Sequence, residues 1–365
     1  MENTRQISMR FMVLYGIFFT AWVFWAICGR QVSHAVFRFF YSSSSEEAVC
    51  ETSIQFRYPE AFQKTLSRYP VFAKLYCEED SPAVPGLAYT ELEEYGCNQM
   101  VPQGICIAGE YMLISAYDNG ASAGLIRDES YVPQNSVIYI LSCGRGEFLT
   151  TLILPDVNHV GGLAFDGSRV WIAKSSTGTV SVISYERIEA AAGSGQPSVS
   201  LPGYDATISC GRTASFVSFY DNCLWVGTYS SLGKDPGSVT SFSVSEEEGL
   251  KLLPRETYEI PPYAQGITFL EQEGRTYMAL SASCGRYMDS ILYIYELSKE
   301  GGSLAFRGGI SLPPMSEELV SDQTHTYVLF ESGATCYSRD YLGCPYPVDR
   351  VCGMENGQLL AGAGL

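Results

Sequence analysis

Gln103, Asp118, His159, Lys174, Arg212, Tyr229, Gln265, Arg286, Glu317 and Glu331 are spread over more than half the chain, yet each stands at or beside one of two recurring positions in a repeated pattern. Their types span the chemistry of a polar site. His159, one of only three histidines, is a potential base. Lys174 and Arg212 can hold an anion or stabilise developing negative charge, and Asp118, Glu317 and Glu331 can act as acids or bases. Each also has a structural role open to it. The two glutamines suit backbone groups of neighbouring units as well as a ligand, His159 can be a satisfied structural histidine, and Arg212 and Lys174 can pair with Glu317 and Glu331.

The elements that must position these residues follow from the stretch NHVGGLAFDGSRVWIAKSSTGTVSVISY at 158–185, which reads as three consecutive strands. Its pattern recurs at 101–118, 159–176, 212–230, 263–283 and 315–333, with starts about 50–58 residues apart, the period of a propeller blade. Each copy has a small-and-apolar run, a turn rich in Gly, Asp, Asn or Glu, and a second run with a large apolar residue (Leu113, Trp171, Trp225, Met278, Val328). Third runs are expected at 136–141, 178–185, 237–244, 290–297 and, weakly, 334–338. Fourth runs are expected at 148–154, 198–201, 257–260 and 305–312, and they tend to end in proline, which cannot continue a ladder.

The fold class expected is therefore all-β: a β-propeller of four-stranded antiparallel blades at 101–365, with five blades recognisable and 50–100 long enough for a degenerate sixth. A strand near 86–89 is expected to close the ring. In such a blade the innermost strand lines the channel. The connection into it lies on the same face as the connection from the second strand to the third. The leading slots (Gln103, Gly161, Ala214, Gln265, Glu317), the residues two before them (His159 and Arg212 among these) and the trailing slots (Lys174, Tyr229, Glu331) thus converge on one channel mouth. Asp118 and Arg286 stand just beyond.

The blade grammar, above all GGLAFDGSRVWIAKSSTGTVSVISY, resembles that of bacterial exported propellers of the SMP-30/gluconolactonase, NHL and YVTN kinds over roughly residues 101–354. The resemblance implies the fold. Lactonase-type members hold a divalent cation with a Glu near the start of the propeller and later Asn and Asp residues. Here the first blade opens with Val101-Pro102-Gln103 and the equivalent later slots lack Asn, so no cofactor is assigned, although a divalent cation remains open.

Residues 11–28, FMVLYGIFFTAWVFWAIC, carry no charge and as a helix span about 27 Å, close to a bilayer's hydrocarbon thickness. The expected order is a cytoplasmic tail at 1–10, a transmembrane helix or signal anchor at 11–28, a polar spacer at 29–57, a helical and irregular arm at 58–100, and the propeller. This makes a single-pass protein of the cell membrane with its C-terminal domain extracytoplasmic. A net charge of −17 excludes a phosphate-tracking nucleic-acid binder. The twelve cysteines contain no CxxC and no Cys/His spacing of a zinc site, so no metal ligand is assigned. Cys336 and Cys344 are the first pair to test for a disulfide. There is no GxSxG, P-loop, GxGxxG or HExxH. The function expected is a ligand-binding or interaction module using the channel mouth, its partner a carbohydrate, a small anionic ligand or an envelope protein. The alternative is a hydrolase or lyase acting on a lactone or sugar.

Overall fold

The computed structural model describes residues 56, 58–87, 100–119, 132–231, 236–298, 302–338 and 343–365. The expected membrane helix at 11–28 and nearly all of the spacer at 29–57 lie outside these residues. Among the described residues no helix is long and apolar enough to cross a membrane.

The strands form because each blade buries both of its faces, so apolar residues alternate between two neighbours rather than between core and solvent. On Arg169–Lys174, Val170 and Ile172 pack with Leu113, Ile138 and Ile140 of the preceding blade. Trp171 and Ala173, one residue out of phase, pack with Val217, Leu224 and Val226 of the following one. Such layers join blade to blade among the described residues. Side chains lock the hairpin turns: Asp166 Oδ1 accepts from the amides of Ser168 at 2.9 Å and Arg169 at 2.7 Å, and Asp322 Oδ1 does the same for Thr324 and His325, both at 2.7 Å.

Five sheets result, each built on four antiparallel strands. Their innermost strands are Met100–Ala108, Gly162–Phe165, Phe216–Tyr220, Ala264–Gln272 and Ser316–Ser321. Each contacts the next, and the last contacts the first, so the ring is closed with five blades. Closure differs from expectation. The strand that completes the fifth blade is Tyr76–Cys77, paired with Cys352–Glu355, whereas Gly86 and Leu87 form a turn and coil, and Tyr89 lies outside the described residues. The fifth blade's third strand is Cys352–Glu355 rather than 334–338, where Ala334 precedes a short helical turn, Thr335–Ser338. In the second blade, Tyr185–Ala192 is a helix, and Ser198–Ser200 leaves its own blade to pair in parallel with Phe148–Ile153 of the first. The fourth strand there is Ala206–Ser209.

Helices Pro59–Arg68 and Pro70–Leu75 bury Phe62, Phe72 and Leu75 against the fourth and fifth blades. Pro70 opens the second helix, where its missing N–H costs nothing. The nine described cysteines are free thiols, Cys336 and Cys344 among them.

Glu318 anchors the axis. Its side chain is fully buried, and it accepts from the amide N–H of Ile105 at 2.8 Å, Leu163 at 2.7 Å and Val217 at 3.2 Å. One carboxylate of the fifth blade thus holds the innermost strands of the first, second and third. Burial pushes its pKa well up, while the three amides oppose that shift. Glycine makes the approach possible: a Cβ at Gly162 would lie 2.4 Å from Glu318 Oε1, and one at Gly266 would lie 2.5 Å from Glu318 Cα. Glu318→Gln turns one acceptor into an NH2 group facing N–H donors. We expect it to cost about 2–4 kcal/mol in urea unfolding. A cost below about 0.5 kcal/mol would remove this role.

Candidate functional site: the channel mouth

The innermost strands of the first, fourth and fifth blades share an irregularity that aims their polar side chains. Register shifts between Pro102 and Ile105, between Ala264 and Gly266, and between Ser316 and Leu319. Such bulges re-aim the residues they contain, here Gln103, Gln265 and Glu317 with Glu318. Just upstream, Tyr263 and Met315 hold left-handed backbone, at φ 65° and 66°, a conformation that costs of order 1 kcal/mol or more for such residues. It is held by Tyr263 N–H donating to Ser230 O at 2.7 Å and by Glu331 N–H donating to Met315 O at 3.0 Å.

A continuous side-chain chain then crosses four blades. Gln265 Nε2 donates to Glu317 Oε1 at 3.2 Å, and Glu317 is hydrogen-bonded to Glu331. Gln103 Nε2 donates to Glu331 Oε2 at 3.0 Å and to Pro102 O at 3.0 Å, leaving Gln103 Oε1 to meet His159 Nε2 at 2.5 Å. With the Gln103 amide oriented this way, the neutral imidazole carries its proton on Nε2. The His159 ring stacks on Tyr117 with centroids 4.3 Å apart. Burial lowers the His159 pKa to about 4, so the ring is neutral at pH 7. Burial raises both glutamates; the charges of Glu331 and Glu318 raise Glu317 further, while Gln103, Arg286 and the hydrogen bond with Glu317 oppose the rise at Glu331, and the pair retains a proton in neutral solution.

Around this chain, Tyr117 and Tyr337 share a hydrogen bond, and Asn119 Nδ2 donates to the Tyr337 hydroxyl at 2.8 Å. Arg286 lies over the Tyr337 ring at 4.9 Å, its charge reaching Glu331. Asp118 is buried and accepts from Gln134 N–H at 2.8 Å, fixing the connection to the third strand. Tyr229, 40 % exposed, and Tyr263 add an aromatic rim, with rings 6.1 Å apart. The structure therefore gathers Gln103, His159, Gln265, Arg286, Glu317 and Glu331, with Asp118 and Tyr229 beside them.

Two expected members have other partners. Lys174 pairs with Asp156 at 2.5 Å and sits over Tyr204 at 4.5 Å. Arg212 is exposed and donates to Ser238 Oγ at 3.0 Å on its own blade. Neither reaches Glu317 or Glu331. Sequence reasoning left Glu318, Tyr337 and Asn119 out of the candidate set. Of these only Glu318 carried a signal, a second acid in an innermost strand whose counterparts are small or apolar. A group able to hold a metal, Cys77, Asp80 and His325, lies elsewhere, at the opposite end of His325–Phe330 from Glu331.

Fold and site together define a five-bladed β-propeller with a hydrogen-bonded, aromatic-rimmed channel mouth. No protein-family model and no curated protein sequence matches the chain. Among solved structures it is similar to glutaminyl cyclase of Myxococcus xanthus, at 11 % identity over 71 % of this chain and 92 % of that one, with a TM-score of 0.42. It is also similar to CoXyl43, a GH43 β-xylosidase/α-arabinofuranosidase from a compost microbial metagenome, at 10 % identity over 70 % and 91 %, with a TM-score of 0.44. These are likenesses of chain path alone.

The site has opposed pH linkages. For Glu317 and Glu331, raised pKa values mean the folded protein binds more protons than the unfolded one, so their contribution falls as pH rises from about 4.3 through neutrality. For His159 the lowered value removes stability as pH falls from about 6.5 to about 4. Urea midpoints measured across this range should decline less steeply above about pH 5 in Glu331→Gln than in the wild type. Parallel profiles would show that the pair does not carry the proton.

Proposed function

We propose that the protein is a ligand-binding module whose channel mouth takes a neutral polyhydroxylated ligand, a carbohydrate being the chemical class that fits. The observation carrying this reading is the unbroken chain Gln265–Glu317–Glu331–Gln103–His159. It offers paired donors and acceptors in fixed positions beside the exposed Tyr229 rim. Amides, a protonated carboxyl pair and a neutral imidazole recognise hydroxyls without requiring a charged partner. An anionic ligand is less well served, because Lys174 is engaged by Asp156 and Arg212 by Ser238, leaving Arg286 beside two buried acids.

A second reading, a hydrolase or lyase acting on a sugar or lactone, draws on the same pair. A buried acid that keeps its proton at neutral pH is what protonation of a leaving group needs. In both readings residues 11–28 hold the domain to a membrane with the propeller on the extracytoplasmic side. Reporter fusions after Leu365 test that placement, and a cytoplasmic C-terminus would overturn it.

Calorimetric titration against neutral oligosaccharides and uronates separates the readings. Neutral sugars should bind, with Tyr229→Ala weakening them roughly tenfold, and Glu331→Gln should lower affinity while no product appears with the wild type. Turnover that Glu331→Gln abolishes would favour the second reading. Preference for uronates would sink the neutral-ligand assignment.

A further inference from the structure

We propose that Cys77, Asp80 and His325 form a zinc site that staples the ring-closing strand to the fifth blade. The argument begins with register. Cys77 pairs with Gly353, and Gly353 pairs with Tyr327 on the far side of the same strand. Directly paired residues share a sheet face, as do residues two apart on one strand. Cys77, Gly353, Tyr327 and His325 therefore all address one face of this blade.

Gly353 is what opens that face. With no side chain between Cys77 and Tyr327, Asp80 can fold back across the sheet. A Cβ at 353 would lie 2.8 Å from Asp80 O and 3.1 Å from Asp80 Cβ. The fold-back is fixed by Ser81, whose Oγ donates to Cys77 O at 2.6 Å and accepts from Gly353 N–H at 3.0 Å. As a result one thiol sulfur, one carboxylate oxygen and one imidazole nitrogen lie within 4.8 Å of one another, with His325 Nε2 3.4 Å from Asp80 Oδ2.

The donor set selects the metal. Sulfur and imidazole with one carboxylate suit zinc, whereas calcium and magnesium require an all-oxygen shell. His325 Nδ1 lies 2.9 Å from Thr324 Oγ1. When Nδ1–H donates to that hydroxyl, Nε2 presents its lone pair to the other two ligands, the second contact that metal-binding histidines need. All three residues are partly exposed, so water can complete a tetrahedral shell and the ion can enter. On binding, the Cys77 S–H bond gives way to an S–Zn bond and the proton leaves to solvent. Tyr76–Cys77 is only two residues long, so a metal bond from Cys77 to a ligand of the second strand holds the closing strand more firmly than its ladder alone. The sequence conceals the site because His325 lies about 245 residues from Cys77 and Asp80 and the three follow no zinc-finger spacing.

The test uses the full-length chain stripped with EDTA and then supplied with Zn2+ or Co2+. Wild type should take up one equivalent, gain about 5 °C in Tm at a hundredfold excess of Zn2+ over Kd, and show a thiolate-to-cobalt charge-transfer band. Cys77→Ser should lose the band, and His325→Ala and Asp80→Asn should each lose the Tm gain while remaining folded by circular dichroism. If Cys77→Ser or His325→Ala fails to fold, Asp80→Asn decides, since its side chain lies on the surface of the turn. A cobalt band that survives Cys77→Ser, an equal Tm gain with Ca2+, or a wild type that does not respond to Zn2+ would each overturn the assignment.

Discussion

The structure depends on the carboxylate of Glu318, which lies where the innermost strands come closest. Interblade packing is apolar and would tolerate sliding, because one layer of Val, Ile and Leu resembles another. Three directed N–H···O bonds from three different blades do not tolerate it. They fix the angular position of the first three blades relative to the fifth, and they place the strands whose upstream ends carry His159, Gln103 and Glu317. The glycines at 162 and 266 are the counterpart of this choice: with any side chain at those points the acid could not reach the axis.

The mouth follows from the same local event. Placing two consecutive glutamates in the bulge of Ser316–Ser321 divides their work, since Glu318 goes to the axis and Glu317 to the mouth. Similar bulges in the first and fourth blades bring Gln103 and Gln265 to meet it. Burying so many polar groups is tolerable because they satisfy one another in sequence around the channel. Burial explains why the pair retains a proton: two carboxylates in contact in a buried site cannot both ionise.

Much of this was legible in the sequence. The hairpins were, because burial on both faces leaves continuous apolar runs between Asp- and Gly-rich turns, and alternation was enough to bring His159, Gln103 and Glu331 to one face. The fifth blade was harder to read because its outer strand is supplied by Tyr76–Cys77 and its third strand follows a helical turn, so no contiguous segment contains the blade. The partners of Lys174 and Arg212 were not legible, because slot arithmetic locates a backbone position, not a side-chain direction. Asp156 lies outside the repeat, yet its charge decides where Lys174 points. The cluster of Cys77, Asp80 and His325 was invisible for a related reason, since only the register across Gly353 brings its members together.

Closing the ring with Tyr76–Cys77 also orders events in time. This strand leaves the ribosome early, yet its partner at Gly353 and Met354 is about 280 residues away in sequence. The first four blades can assemble during synthesis, their four antiparallel strands each coming from one contiguous segment, but the fifth must wait until nearly the whole chain has emerged. Until then the sheet edge at His325–Phe330 lacks its partner strand, and the buried faces of the helices at 59–75 have no finished surface to cover. The last step of folding is therefore a loop closure of high contact order, and premature termination near the C-terminus would leave a half-built fifth blade with an exposed strand edge rather than a slightly shorter propeller.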